Sequence, residues 1–168
     1  MIFVCLGTND KSFERLLVMV DKAIEKGVIQ EEVIAQCGCT KYSGKRIKTF
    51  NYCTIEEMNE YLKQASLIIT HGGTGTIVQA LKLHKKVIAV SRLGKYKEHE
   101  NDHQIQIISQ FVDTGYILGI IDETTTLEEK LEEAKTFETK EFVSNTENFL
   151  NYLRSVIDET LDERKKKK

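Results

Sequence analysis

The 168-residue sequence contains no proline. It has no Ser/Gly-rich stretch either, so nothing marks a linker, and one domain spanning 1–168 is the expectation. Cysteine is scarce: Cys5, Cys37, Cys39 and Cys53 are all there are. They fall in or beside strand-like stretches, where free thiols serve as small core groups. Cys37-Gly38-Cys39 has the look of a metal or redox pair, but no second Cys or His pair follows at zinc-ligand spacing, so no metal is expected. Neither sign of charge dominates, with 26 acidic and 24 basic residues. That balance provides no field for nucleic acid or membrane, and any partner must be read from local features. No apolar run approaches a membrane span, and Met1-Ile2-Phe3-Val4-Cys5 lacks the basic flank and cleavage site of a secretory leader. A cytosolic chain is the expectation.

What is present centres on Leu67 to Leu83. Leu67-Ile68-Ile69-Thr70 is a short apolar run. It breaks into His71-Gly72-Gly73-Thr74-Gly75-Thr76, and apolar residues then return at helical spacing through Ile77, Ala80, Leu81 and Leu83. The pattern predicts a strand, a tight turn and a helix. The first N–H groups of such a helix have no intrahelical partner, the macrodipole is positive there, and glycines let a ligand approach the backbone. A phosphate or diphosphate suits that geometry. A P-loop needs Lys followed by Ser or Thr after its last glycine, and here Gly75 precedes Thr76-Ile77. A dinucleotide fingerprint counted from Gly73 needs a sixth-position glycine and finds Val78, and Ser91-Arg92-Leu93 stands where an acid belongs. A mononucleotide diphosphate remains.

Around this centre, strands alternate with helices. Strands are predicted at Ile2–Leu6, Glu32–Gln36, Ile47–Tyr52, Lys86–Val90 and Tyr116–Ile121, besides the Leu67 run. Ser12 is the predicted cap of a helix ending at Gly27. Thr54 starts another, with Ile55, Met58, Tyr61, Leu62 and Ala65 facing inward and Glu56 and Glu57 in its first turn. A helix is predicted at 102–112, and one or two amphipathic helices over 126–164 precede a basic tail, 164–168. Uniformly apolar strands argue for a parallel sheet covered by helices on both faces. Ligands on such sheets sit beyond the carboxyl ends of the strands. Gly7-Thr8-Asn9, 51–54, 71–76 and 91–104 should therefore line one rim.

The run from His71 to Gln79, with a Gln-containing segment about 25 residues later, resembles the nucleotide-diphosphate half of GT-B glycosyltransferases of the family 28 type. Small soluble members form two-subunit enzymes, among them a UDP-GlcNAc transferase of lipid-linked oligosaccharide synthesis and bacterial capsule or exopolysaccharide galactosyltransferases. Phe3-Val4-Cys5-Leu6-Gly7-Thr8 and the segment from Arg92 to Gln104 look more like the bacterial subunits. The resemblance covers roughly residues 1–121 and implies a Rossmann-like sheet of about six strands, one half of a GT-B fold.

By the same resemblance His71, Gly72, Gly73, Thr74, Gly75 and Thr76 contact the donor diphosphate, with Gly7 and Thr8 facing it from the other side. Gln79 takes the ribose, where the family usually has an acid, and Asp102 and Gln104, with His103 between them, take the sugar, with Asn101 and Glu98 weaker candidates. The uracil would lie near Tyr52 and Cys53. A histidine at a strand end can also be a neutral packing residue, and Gln79 and Gln104 can simply face solvent. The resemblance implies a UDP-sugar donor and metal-independent inversion to a β-linkage, with His71 stabilising the leaving group and no cofactor. One such domain is half an active site. A membrane-anchored subunit would then supply the base and bind a lipid-linked glycan at the inner face of the membrane. Galactose is the donor sugar that the bacterial likeness implies, GlcNAc the alternative. A non-catalytic UDP-sugar-binding enhancer subunit is the reading of another class.

Overall fold

The computed structural model describes the backbone of residues 1–166 and the side-chain environment of residues 1–160. Six strands, β1 (Ile2–Cys5), β2 (Val33–Gln36), β3 (Lys48–Phe50), β4 (Leu67–His71), β5 (Lys86–Val90) and β6 (Leu118–Ile120), form one sheet in the order β3-β2-β1-β4-β5-β6. Every pairing is parallel. The chain builds outward from β1 to one edge and then, from β4, to the other. The order therefore reverses between β1 and β4, which is where parallel sheets of this kind leave a crevice for a ligand.

Residues of β1 and the next position alternate between two buried layers, which is why the strand reads as continuously apolar. Ile2, Val4 and Leu6 pack with α1 (Glu14–Glu25) and α5 (Leu127–Thr136) through Leu16, Leu17, Val20, Leu127 and Leu131. Phe3 and Cys5 face α2 (Ile55–Gln64), α3 (Thr74–Lys82) and α4 (His103–Asp113) through Leu62, Ile77, Ala80, Leu81 and Ile108. The Phe3 ring stacks on Tyr61 at 5.1 Å between centroids. Burying such a side chain contributes about 1.5–3 kcal/mol. The result is three layers, with helices on both faces of the sheet.

Thr54 caps α2 as its sequence predicts, in a reciprocal capping box with Glu57. Other local expectations are corrected. Ser12 does not cap α1: the helix starts at Glu14, and Phe13 at the cap position is drawn fully into the core, its N–H donating to Thr40 Oγ1. Ile55 is 74% exposed, because the inward row of α2 is set by Met58, Tyr61 and Leu62. The outer strands β3 and β6 are three residues each, shorter than predicted, since each pairs along one side only. Cys5 and Cys37 are buried thiols, but Cys39 is exposed, turned outward by Gly38 at φ +59°. Two helices follow β6, α5 and then α6 (Thr146–Lys166). Every residue of α6 through Thr160 is exposed. The basic tail expected at 164–168 lies outside the residues whose side chains are described.

Candidate functional site

The crevice between the β1 and β4 loops is built around His71, the last residue of β4. Its ring edge, Cε1 and Nε2, lies between Gly7 and Gly73: a Cβ at Gly7 would stand 2.5 Å from Cε1, and one at Gly73 would stand 2.3 Å from Nε2. Gly7 also holds φ +77°, a backbone conformation that disfavours any side chain. Both glycines are thus required by the histidine, and Gly7 by its turn as well. His71 Nδ1 is 3.3 Å from the Cys5 carbonyl oxygen, and the Thr70 hydroxyl donates to the same oxygen. A carbonyl cannot donate, so Nδ1 carries the proton and Nε2 presents a lone pair. Burial pulls the His71 pKa down to about 4, with Arg92 and His99 pushing the same way. The free protein therefore holds a neutral imidazole here at pH 7.

Beside this ring α3 begins. Gly73 occupies its cap position without a side-chain cap, and the first helical bond recorded is Ile77 N–H to the Gly73 carbonyl. The N–H groups of Thr74, Gly75 and Thr76 are left facing outward with no acceptor among the described residues. Thr74 and Gly75 are exposed, and a Cβ at Gly75 would meet nothing within 4 Å. Three free donors, a positive helix end and a histidine make an anion seat. The Thr76 hydroxyl points back to Cys5 Sγ at 3.8 Å.

On the β2–β3 side, Thr8 is exposed on the β1 loop and Tyr52 is 59% exposed on the turn after β3. Tyr52 borders a cleft of about 400 Å³ lined by residues 37–42, Thr49 and Asn51. A larger cleft of about 530 Å³ lies against α2, but Glu56, Glu57 and Glu60 line it beside a single cation, Lys63, and it would repel a diphosphate.

On the β5 side the expected residues divide. Asn101, Asp102 and His103 are exposed at the start of α4, with Asp102 Oδ1 accepting from Gly94 N–H and Asn101 Oδ1 from His103 N–H. Gln79 is half-buried and bonds Asn59 of α2. Gln104 does not face solvent: it is 7% exposed, its Oε1 accepting from Gly72 N–H and Arg92 N–H, each at 3.1 Å. Gly72 is buried against it. Glu98 is likewise buried, gripped by Arg15 at 2.8 and 3.0 Å and by Leu93 N–H at 3.0 Å. Its carboxylate is fully engaged in shaping the loop and is turned away from the crevice.

Sequence reasoning missed three side chains that shape this rim. Gln36, at the end of β2, accepts from Gly7 N–H and Cys5 Sγ and donates to the Gly7 and Asn51 carbonyls. Arg92 is 1% exposed, lies 4.8 Å over the Phe13 ring, and donates to the carbonyls of Leu6, Lys11 and Glu98. Arg15 closes the set through Glu98 and the Ser91 carbonyl. The only signal available was their position, since each long polar side chain sits at a strand end or faces one from α1.

Two fungal proteins, each called a UDP-N-acetylglucosamine transferase subunit ALG13, are similar to this chain. The Candida albicans protein is 32% identical over 78 residues, 46% of this chain and 25% of that protein. The Saccharomyces cerevisiae protein is 29% identical over 114 residues, 67% of this chain and 54% of that protein. The chain thus spans a quarter to about half the length of these relatives. A solution structure of ALG13 shares its fold with a TM-score of 0.55 and 19% identity, over 90% of this chain and 94% of that one. Solved GT-B glycosyltransferases carry a domain of the same fold. Residues 1–160 match the glycosyltransferase family 28 C-terminal domain, and the chain belongs to that family.

Proposed function

We propose that this chain is the donor-binding, catalytic subunit of an inverting UDP-GlcNAc transferase that works on a lipid-linked sugar with a membrane-anchored subunit. The observation that carries the reading is the seat formed by His71, held between Gly7 and Gly73, and the free N–H groups of Thr74, Gly75 and Thr76. GlcNAc is preferred to the galactose implied by the bacterial likeness because both fungal relatives bear the UDP-GlcNAc name. A capsular role has no support beyond that likeness.

In this reading the diphosphate lies at the α3 N-terminus, so that charge growing on the leaving UDP meets donors already in place. His71 Nε2, which presents a lone pair in the free protein, takes a proton as the anion arrives and becomes a further donor. The uracil lies toward Tyr52, the ribose toward Gln79, and the sugar toward Asp102 and His103. Transfer is metal-independent, the helix end and His71 supplying the positive charge. Asp102 and His103 serve the donor sugar in this reading, and the acceptor and its base come from the other subunit.

No helix among the described residues is long and apolar enough to cross a membrane. α6 offers a docking surface instead, with Phe149, Leu150, Leu153, Val156 and Ile157 all exposed by 38–59%. These positions recur at three- and four-residue intervals and share one side of the helix.

Calorimetric titration with UDP, UDP-GlcNAc, UDP-galactose and GDP, with and without EDTA, tests the donor site. UDP and UDP-GlcNAc should bind regardless of EDTA, and His71→Ala should weaken both by about 1.5–3 kcal/mol, the range for hydrogen bonds to charged groups. Equal binding of GDP, tighter binding of UDP-galactose, or dependence on metal would overturn the corresponding part of the reading. Binding without any transfer once the partner is present would identify an enhancer subunit.

A further inference from the structure

The two backbone bonds to Gln104 tie together loops that otherwise belong to different strands. Gly72 follows β4, and Arg92 follows β5. Both N–H groups end on one carbonyl oxygen, brought in by the second residue of α4. A Cβ at Gly72 would lie 2.8 Å from Gln104 Cβ, so this glycine makes room for the glutamine. The linkage continues, because the Arg92 guanidinium donates to the Leu6 carbonyl at 2.7 Å, immediately before Gly7. Gln104 therefore reaches the β4 wall of the crevice directly and the β1 wall through Arg92.

We propose that Gln104 is a positioning residue, whose carbonyl sets the place of the 72–76 turn and is thereby closed to the sugar hydroxyls that the family likeness brought to this side chain. A carbonyl oxygen has two lone pairs, and here both are spent on backbone N–H groups in a buried site. A sugar hydroxyl donating to that oxygen would have to displace one of them and leave it unsatisfied. Sugar selection passes to the exposed Asp102 and His103. The proposal rests on the donor-site reading for its ligand, but not for its backbone geometry.

Two measurements on Gln104→Leu test it, with Gln104→Asn as a second variant that shortens the side chain without making it apolar. The first is amide hydrogen exchange of the free protein. Exchange at Gly72 and Arg92 should speed up by about tenfold or more, while Ile69 and Ile88 stay protected, and Gln104→Glu, which keeps an acceptor, should restore the slow rates. The second is the affinity ratio between UDP and UDP-GlcNAc. Both ligands should weaken by the same factor, since the turn serves the diphosphate they share. Unchanged exchange at Gly72 and Arg92 overturns the proposal. So does weakening confined to UDP-GlcNAc, which is the signature of a sugar contact. If the wild-type chain binds neither ligand, the donor-site reading fails, and the exchange arm still decides the role of Gln104.

Discussion

The rim of the sheet and the last helix depart in opposite ways from the rule that apolar groups go in and polar groups stay out. At the rim Gln36, Arg92, Glu98 and Gln104 are all less than 8% exposed. Along α6, Phe149, Tyr152 and Ile157 are 49–67% exposed. Buried polar groups are tolerable only when hydrogen-bonded, and at the rim nearly all are, the Arg92 Nε being an orphan. Exposed apolar groups are tolerable when something else covers them. In the proposed function one region is complete in itself and preorganised for a small anion, whereas the other is completed by a second surface. The difference separates what the chain does alone from what it does in an assembly.

The comparison is broken most severely by removing Gln36. In Gln36→Leu the Gly7 N–H and the carbonyls of Gly7 and Asn51 lose a partner together, along with the Cys5 thiol. Each buried unsatisfied group costs about 1–3 kcal/mol, and part of this is recovered because Gly7 and Asn51 can reach water. A loss of about 3 kcal/mol in urea denaturation is expected, with UDP affinity falling alongside it. A loss under about 1 kcal/mol would show that the rim does not depend on this side chain.

His71 gives the next effect, through pH. Its folded pKa of about 4 lies below its ordinary 6.5. Between those values the unfolded chain binds a proton that the folded chain does not, so stability rises with pH across this window. The contribution is fully present above about pH 6.5 and lost as pH falls to 4, amounting to about 3 kcal/mol. Urea denaturation at pH 4.5, 5.5 and 7 should show a steeper rise for the wild type than for His71→Asn, which keeps an N–H donor for the Cys5 carbonyl. Parallel curves would mean that His71 binds its proton equally in the folded and unfolded chain, and a wild-type curve that falls with pH relative to the variant would place a protonated histidine in the crevice.

How much of this was legible beforehand follows from how local each cause is. The 67–83 unit was plain in the sequence, because β-branched residues, glycines and a helical apolar period act within a few positions of one another. So was the start of α2 at Thr54 with acids in its first turn, which the structure shows closing into a capping box with Glu57. That the sheet is parallel and covered on both faces followed from alternation of strands and helices, while the order of its strands did not. Gln36 and Arg92 were not legible, because their partners are up to 31 and 86 residues away. A glutamine at a strand end looks the same whether it faces water or holds a turn. Gln104 was singled out for another reason, its likeness to a sugar-binding element, and only its burial shows the oxygen engaged by backbone. The apolar stripe of α6 was readable from its period, but a period says that a face will be covered without saying by what.

The smallest effect should come from α6, and it sharpens the comparison from the other side. The natural cut follows Ser144, since Phe142 still packs edge-on against Tyr116 and belongs to the core. Residues 145–160 bury little against the rest of the chain, as every one of them is exposed. Exposed positions away from special contacts change stability by about 0.5 kcal/mol or less. A chain ending at Ser144 should therefore keep its unfolding midpoint within that margin and bind UDP with unchanged affinity, while losing capture by the membrane-anchored subunit in a pull-down. A large drop in stability would mean that the helix folds back onto its own domain in solution, and its apolar side would then be internal packing rather than a surface for a partner. Retained capture would move the interface elsewhere and leave the crevice as the only part of the chain with an assigned task.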